Sequence, residues 1–390
     1  MGRMSAVLAF IVMTFVCWGS YGPVLHEGQD AMGRSLWRPF ILVGVAYFLV
    51  AVCVPLLMRK FMDDPGKWSM SGIVWSLVAG AVGALGALGI LLAFSQGGRP
   101  VVVMPLVFGC APVVNTVFTM WMGKTARQAH LPFFLGILLV ALGAAGVLRF
   151  KPSVGKPQAT TTVRIQFEGE TPEIEGANVK GDWLVVKGDD VASVNQRVLP
   201  LLLDQGVSIL GIRKGTAAPL AVIFYIVMTA LCWGAYGPLL HKGQAGMSGS
   251  RLRPFICVGI AYFFLAILIP SIILFQSDEP GMFSIVGSFW SLLAGALGAI
   301  GALGVIMAFN SGGRPVFVMP LVFGGAPVVN TAVSMLQSKL SDETVGPLEP
   351  LFLPSLGLVI AGAAIVLIFA PRPAHAAPPA ATSGGQGRTE

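Results

Sequence analysis

Two stretches of the sequence combine prolines, a glycine and an asparagine inside an apolar span. PLVFGCAPVVNT and PLVFGGAPVVNT place Asn115 and Asn330 one helical turn after Pro112 and Pro327. A proline inside a helix removes a backbone donor and crowds the carbonyl one turn earlier, so each span is expected to kink or break. Freed backbone amides and an amide side chain that both donates and accepts would suit the hydroxyl groups of a small solute. The alternative is a packing kink in which each asparagine satisfies its own helix.

A second repeated pattern, W-G-[SA]-Y-G-P-x-L-H-x-G-Q, supplies aromatic and titratable side chains. Tryptophan and tyrosine present flat apolar faces with a polar edge, which suit stacking on a sugar ring, although an interfacial aromatic belt uses the same residues. The histidines are expected at the membrane edge, as a gate or proton carrier or as solvated capping groups. The substrate-binding candidates are therefore Trp18, Tyr21, Trp233, Tyr236, Asn115 and Asn330, and the gating or coupling candidates are His26, His241, Pro112 and Pro327.

The sequence does not favour an enzyme. All 18 acidic residues fall outside the predicted apolar spans, so intramembrane carboxylates that could relay protons or bind a metal are not predicted. No Ser/His/Asp or Cys/His arrangement recurs, and no phosphate-binding loop is present. The five cysteines lie in apolar runs and are expected to be buried thiols. We predict no catalytic residue, no metal and no cofactor, and no nucleic-acid partner because basic clusters with interleaved aromatics are missing.

The amino-acid composition indicates that membrane-spanning helices position these residues. Of 390 residues only 11% are charged and 55% are hydrophobic, and the mean hydropathy is +0.79. These values are typical of polytopic membrane proteins. Glycines repeat every third residue from 80 to 89 and again from 295 to 304, which predicts a seam of closely packed helices rather than a substrate path.

The chain contains a tandem duplication with a constant offset of 215 residues. Residues 93–116 and 308–331 are identical at 20 of 24 positions. Each copy has five apolar spans of about twenty residues, the length that crosses a bilayer. Because five is odd, the second copy must lie upside down relative to the first, as in secondary transporters with inverted repeats. The spans are predicted near 5–25, 38–58, 72–95, 101–122, 131–150, 218–238, 253–275, 284–309, 316–337 and 351–370.

The charge of one loop reverses between the copies. After the second span the first copy carries Arg59, Lys60 and Lys67, whereas the same loop of the second copy carries Asp278 and Glu279. Lysine and arginine accumulate on the cytoplasmic side of membrane proteins. We therefore expect a multi-pass protein of the cytoplasmic (inner) membrane, with both termini in the cytoplasm and the segment between the copies in the periplasm or outside the cell.

The segment between the copies is predicted to be a small soluble α+β domain. TTVRIQF, WLVVK and VSILGI have the pattern of strands, and apolar residues between 191 and 202 recur at helical spacing. Pro200 is expected to end that helix early. A structural or regulatory role, with a protein partner as one option, is favoured over catalysis. The predicted units are the first five-helix repeat 1–151, the insert 152–216, the inverted second repeat 217–371 and a disordered tail 372–390.

The chain resembles the drug/metabolite transporter superfamily over 1–150 and 218–372. The resemblance rests on the five-plus-five inverted spans, on WGSYGP and WGAYGP, and on P-x-x-x-G-x-x-P-V-V-N-T. The end of the first span is most similar to the EamA-like branch that takes up glucose, ribose and rhamnose. The resemblance implies a secondary transporter or facilitator that moves a small polar, sugar-like metabolite by alternating access. An acid used by the superfamily's small multidrug pumps is missing from the first span, and the insert is foreign to the family.

A rival interpretation comes from another functional class. The protein would be a membrane-anchored sensor or assembly factor in which the insert is the working part and the helices only hold it in the bilayer. Uptake by protein that lacks 158–212 discriminates the two, because a transporter keeps its flux and a sensor loses its phenotype.

Overall fold

The protein is mostly helical, and among the described residues eight helices are long and apolar enough to cross a membrane. The computed structural model describes residues 3–61, 63–150, 161–168, 172, 174, 177–180, 183–188, 191–215, 219–277, 282–313, 315–340 and 349–370. The predicted tail lies outside the described residues. A multi-pass membrane protein, as predicted, follows from these apolar helices.

The helices follow the predicted spans closely. In the first copy they are α1 Arg3–Asp30, α2 Trp37–Phe61, α3 Met70–Ser95, α4 Pro100–Gly123 and α5 Leu131–Arg149. The insert contributes α6 Val191–Asp204. In the second copy they are α7 Pro219–Gly246, α8 Leu252–Gln276, α9 Ile285–Asn310, α10 Pro315–Leu340 and α11 Phe352–Ile368. The apolar stretches of α10 and α11, Leu321–Gln337 and Phe352–Ile368, are shorter than those of the other eight.

The first helix is longer than predicted. It was expected to end near residue 25, but α1 continues to Asp30 and so includes Glu27. The expectation that acids lie outside the spans is therefore wrong at this end. The carboxylate of Asp30 lies 3.5 Å from His26 Nδ1 and 3.1 Å from Arg34 Nε, and the Arg34 guanidinium offsets its charge.

The prolines of the fourth span do not interrupt it. Helix α4 is continuous through Pro105 and Pro112, and α10 is continuous from Pro315 to Leu340. Of the predicted kink or break, the break is wrong, because neighbouring helices in a bundle hold a proline-containing segment in helical geometry. The hydroxyl of Thr116 donates to the Pro112 carbonyl at 2.9 Å. Pro112 therefore lies inside a continuous helix.

Helices α2 and α8 cross where each has a wide turn. The π-helical turns Leu49–Cys53 and Phe263–Leu268 occupy matching positions in the two copies. A Cβ atom on Gly44 would lie 2.8 Å from Ala266 Cβ, and one on Gly259 would lie 3.0 Å from Ala51 Cβ. Glycine at both positions therefore lets the two helices approach closely.

The first helix of each copy packs on the third helix of the other copy. The hydroxyl of Thr14 on α1 donates to the Gly301 carbonyl on α9 at 3.2 Å. Thr229 on α7 donates in the same way to Gly86 on α3 at 3.3 Å. The two contacts occur at positions separated by the repeat offset of 215. A Cβ on Gly86 would lie 2.2 Å from the Trp233 indole, so Gly86 is a packing position. Gly83 and Gly298 of the same seam line a cavity, so the prediction that the seam serves packing alone is wrong at these two positions.

The insert is an α+β unit with a four-stranded antiparallel sheet in the order β2-β3-β1-β4. The strands are β1 Thr161–Glu168, β2 Ala177–Lys180, β3 Trp183–Gly188 and β4 Ser208–Gly215. Apolar residues of α6, such as Val198, pack against Ile165 and Leu184 on one face of the sheet. The sequence did not predict β2. The expectation that Pro200 ends α6 is wrong, because the exposed ring faces away from the sheet and the helix continues.

One side of the bundle adjoins the insert. The insert follows α5 and precedes α7, and its Trp183 contacts Gly33 just after α1. We call this side the insert face. The side that carries the end of α7 and the turn at 247–250 is the opposite face.

Candidate functional site

A cavity of about 1220 Å³ lies between the two copies. Its inner wall is aromatic and comes from α1, α2, α4, α7, α8 and α10. Its lining extends outward along the last turns of α4, α7 and α9 to Gly123, Gln244 and Phe309. The cavity therefore opens at the opposite face and not at the insert face.

Four tyrosines form the centre of the cavity, and the chain has only five tyrosines in total. Tyr21 and Tyr236 are equivalent in the two copies, and so are Tyr47 and Tyr262. The rings of Tyr47 and Tyr262 stack with centroids 3.8 Å apart and planes 3° from parallel. Gly83 provides space beside this cluster, because a Cβ there would lie 3.4 Å from Tyr236.

Two tryptophans flank the tyrosines and are tied to the other copy. The Trp18 indole N–H donates to the Gly298 carbonyl at 3.1 Å, and that of Trp233 donates to the Gly83 carbonyl at 3.2 Å. The only donor of each indole is therefore used inside the protein, and the rings offer their apolar faces to the cavity. The structure brings the four predicted aromatic residues together in one site, rather than at the membrane surface as an interfacial belt.

Two phenylalanines join these aromatic residues into one wall. Phe108 and Phe323, which are also equivalent in the copies, have ring centroids 6.4 Å apart. Phe108 lies 6.2 Å from Trp233, and Phe323 lies 6.2 Å from Trp18. Such tilted contacts fix the orientation of large rings at low conformational cost. The wall is therefore a preformed apolar surface.

The two predicted asparagines lie in different environments. Asn115 is part of the cavity wall beside Gly237. Asn330 is fully buried, and its Nδ2 donates to the carbonyl of Pro100 at 2.9 Å. The structure does not bring the two side chains together as paired contacts in the cavity. Asn115 is available to a solute, whereas Asn330 joins the second copy to the start of α4.

A pair of glutamines shows the same asymmetry. The side-chain amide of Gln29 is buried on the insert face and donates to the Leu91 carbonyl at 3.1 Å and to Ser95 Oγ at 2.8 Å. These bonds join the end of α1 to the end of α3. The equivalent residue Gln244 lines the cavity on the opposite face. Each member of the pair therefore stands at one end of the cavity, and only the insert end is closed.

The histidines and prolines occupy supporting positions. His241 is exposed and lines the outer part of the cavity. His26 lies on the insert face, 3.5 Å from Asp30 and with its ring 5.1 Å from that of Phe94. Pro112 and Pro327 are buried beside the wall.

The charge of the cavity limits the solutes that fit. Among the described residues of the lining, Lys242 and His241 are the titratable nitrogen bases, and none is an aspartate or glutamate. The ammonium of Lys242 lies 4.2 Å from the centre of the Trp75 ring, at the mouth rather than at the aromatic centre. Within the described parts of the chain, no group of three or more His, Cys, Asp or Glu is arranged to hold a metal ion. The centre therefore offers ring faces, tyrosine hydroxyls and the Asn115 amide.

The sequence reasoning missed four aromatic residues of this site. Tyr47 and Tyr262 stand in the repeated segments RPFILVGVAYF and RPFICVGIAYF, and Phe108 and Phe323 stand in PLVFGCAPVVNT and PLVFGGAPVVNT. Identity between the copies was the available signal for all four. No protein-family model matches the chain, and a comparison with curated proteins finds no match either.

Proposed function

We propose that the protein is a secondary transporter or facilitator that moves a small polar metabolite across the cytoplasmic membrane by alternating access. The single observation that supports this proposal most is that two equivalent glutamines, one at each end of the cavity, make different contacts. Gln29 closes the insert face, while Gln244 is open to the cavity. A protein built from two inverted five-helix repeats would alternate between this state and one in which the two ends exchange roles.

The cross-packing of the copies supports the ten-helix inverted-repeat architecture. Ser284 Oγ donates to the Ala31 carbonyl at 2.9 Å, and Ser69 Oγ donates to the Gly246 carbonyl at 2.5 Å. The two bonds are related by the same offset of 215 and lie at opposite ends of the bundle. Contacts repeated in this way are expected if the copies are related by an axis in the membrane plane.

The lining of the cavity favours a neutral, hydroxyl-bearing solute, with sugars as the leading class. Tryptophan faces stack on the apolar face of a pyranose ring, and tyrosine hydroxyls and an asparagine amide both donate and accept hydrogen bonds. The part of the lining that the structure describes offers no carboxylate to a cationic solute. The resemblance to the glucose, ribose and rhamnose uptake branch agrees with this choice.

The orientation of the protein in the membrane is part of the proposal. Both termini would be cytoplasmic and the insert periplasmic or extracellular, so the cavity would face the cytoplasm in this structure. A reporter that is active only outside the cytoplasm should work when fused after Asn178 and fail when fused near Gly387. The reverse result would invert the orientation without affecting the repeat.

The function is tested in two steps with purified full-length protein. Sugars, polyols, amino acids and nucleosides are first screened by thermal shift, because a ligand that binds only the folded state raises the apparent melting temperature. Flux of the best radiolabelled hit is then measured in proteoliposomes, with Trp18→Ala and Trp233→Ala as variants of the wall. Saturable flux that falls in both variants supports the proposal. A hit without flux would favour the sensor interpretation.

A further inference from the structure

The indole of Trp183, in the insert, fills the space that a side chain on Gly33 would occupy, just after α1. The Trp183 side chain is 1% exposed, and a Cβ on Gly33 would lie 1.7 Å from its Cε2 atom. Gly33 has a positive φ of 63°. Glycine at this position therefore allows the positive φ of the turn and also leaves room for the Trp183 indole.

The equivalent turn of the second copy shows whether the positive φ or the contact with Trp183 requires glycine. The residue equivalent to Gly33 is Ser248, which adopts nearly the same backbone conformation with a φ of 57°. Ser248 is exposed. A serine is therefore compatible with the turn, and the close approach of Trp183 is what distinguishes the first copy.

The face of the sheet that carries Trp183 is buried where the insert meets the turn after α1. Side chains alternate along a strand, so Trp183 points away from Leu184 and Val186, which form the apolar core with α6. Its neighbour across the β1–β3 ladder, Gln166, is fully buried, and among the described residues neither polar atom of its side chain has a hydrogen-bond partner. Burying an unpaired amide opposes docking, so separation of this face would restore water to Gln166.

The turn under Trp183 is continuous with the closed end of the cavity. The carbonyl of Gln29 accepts hydrogen bonds from the amide of Arg34 at 2.7 Å and from that of Met32 at 3.3 Å. The side chain of the same glutamine bonds the end of α3. Gly33 therefore lies between two residues whose amides bond the Gln29 carbonyl, and its own amide donates to the carbonyl of Asp30 at 3.1 Å.

We propose that the insert is an autoinhibitory clamp on the transporter. Trp183, seated on Gly33, holds the end of α1 in the position that closes the insert face, and it must leave this seat before the cavity opens to that side. The proposal rests on the proposed function, since it assigns regulation to the same alternating cavity.

The test measures hydrogen–deuterium exchange of the full-length protein in nanodiscs. Gly33→Ser introduces the side chain that the second copy carries in the same turn, and Ser248→Gly is the matched control. Trp183→Ala removes the indole, and because Trp183 lies outside the insert core the domain should stay folded. Gln29→Ala breaks the closed end directly and reports on alternating access without the clamp.

The clamp predicts a coupled change at both ends of the cavity. In Gly33→Ser and Trp183→Ala, exchange within 91–98 should rise at least tenfold, which is about 1.4 kcal/mol, and exchange within 241–247 should fall as the opposite face closes. Ser248→Gly should change neither. A rise limited to 31–36 and 183–188, or no rise in either variant, overturns the clamp.

The Gln29→Ala variant separates failure of the clamp from failure of the proposed function. If Gln29→Ala shifts 91–98 and 241–247 in opposite directions while Gly33→Ser and Trp183→Ala do not, the clamp is wrong and alternating access stands. If Gln29→Ala also leaves 241–247 unchanged, the two ends are not coupled and the proposed function fails together with the clamp.

Discussion

Tyr47 and Tyr262 lie face to face at the centre of the protein, with ring centroids 3.8 Å apart. They occupy the same position in the two copies of the repeat. A parallel sandwich is not the geometry that isolated aromatic pairs prefer, so the crossing of α2 and α8 must impose it. The close approach at Gly44 and Gly259 brings the two helices near enough for this contact.

The stacked pair should make the two copies energetically dependent on each other. We expect Tyr47→Leu and Tyr262→Leu to be coupled by about 0.5–1.5 kcal/mol in a double-mutant cycle, because each substitution removes the same ring contact. The measurement is the free energy of unfolding in detergent for both single variants and the double variant. Tyr225, the tyrosine outside the cluster, provides the control: Tyr225→Leu should add to Tyr47→Leu without coupling. Strict additivity of the stacked pair would contradict the prediction.

The two asparagines should separate into a ligand contact and a structural contact. Asn115→Ala should weaken the affinity for the solute roughly tenfold to a hundredfold, because a bound hydroxyl left unpaired in a dry site costs about 1–3 kcal/mol. Asn330→Ala should leave the binding surface intact and lower the melting temperature, since it removes the hydrogen bond to Pro100. Affinity by calorimetry and melting temperature are measured on both variants. Equal losses of affinity would instead favour the paired arrangement expected from the sequence.

This asymmetry explains why the sequence predicted the residues of the site better than their roles. Equivalent residues in a duplicated chain invite the same assignment, and Asn115 and Asn330 have nearly identical neighbours in the sequence. If the protein alternates between two states as proposed, a single conformation places such residues differently. Sequence identity would then indicate the set of residues, while the state of the protein would decide which member contacts the solute.

The boundaries of the elements show a similar limit. Proline was expected to end or break helices, yet α4 and α6 both continue through prolines. The local cost of a missing donor is real, but packing against neighbouring elements outweighs it. The apolar pattern predicted where the spans lie, because burial in a bilayer depends on composition more than on single residues.

An ion pair at the opposite face should contribute strongly to stability. Arg253 Nη1 donates to Asp64 Oδ2 at 2.8 Å and to the Asp64 carbonyl at 3.0 Å, and Ser250 Oγ donates to the same carboxylate at 2.7 Å. The Asp64 side chain is 7% exposed, so a partner left alone would be a buried, uncompensated charge. We expect Asp64→Asn to lower the free energy of unfolding by about 3–5 kcal/mol.

The neighbouring carboxylate provides the control for this ion pair. Asp63 is exposed, and Asp63→Asn should change the free energy of unfolding by less than about 0.5 kcal/mol. Urea or detergent unfolding of the two variants is sufficient for the comparison. Similar stabilities of Asp64→Asn and Asp63→Asn would mean that Arg253 finds another acceptor and that the contact between the copies is weak.

If the protein alternates as proposed, the state that is closed at the opposite face should reuse the equivalent contact of the other copy. Gln29 bonds the carbonyl of Leu91, and the residues at the same positions of the second copy are Gln244 and Ile306. Both line the open cavity. When the opposite face closes, we expect the Gln244 amide to donate to the Ile306 carbonyl, so that a short bifunctional thiol reagent links Gln244→Cys to Ile306→Cys. The pair Gln29→Cys and Leu91→Cys should be linked in the present state, and mass spectrometry of the linked peptides separates these products from native cysteines.

A further substitution, Gln29→Ala, should shift the balance toward the other state. Added to the Gln244→Cys, Ile306→Cys protein, it should raise the yield of the linked product several-fold, because losing a buried hydrogen bond costs about 1–3 kcal/mol. A yield that does not respond to Gln29→Ala would show that the two ends of the cavity close independently.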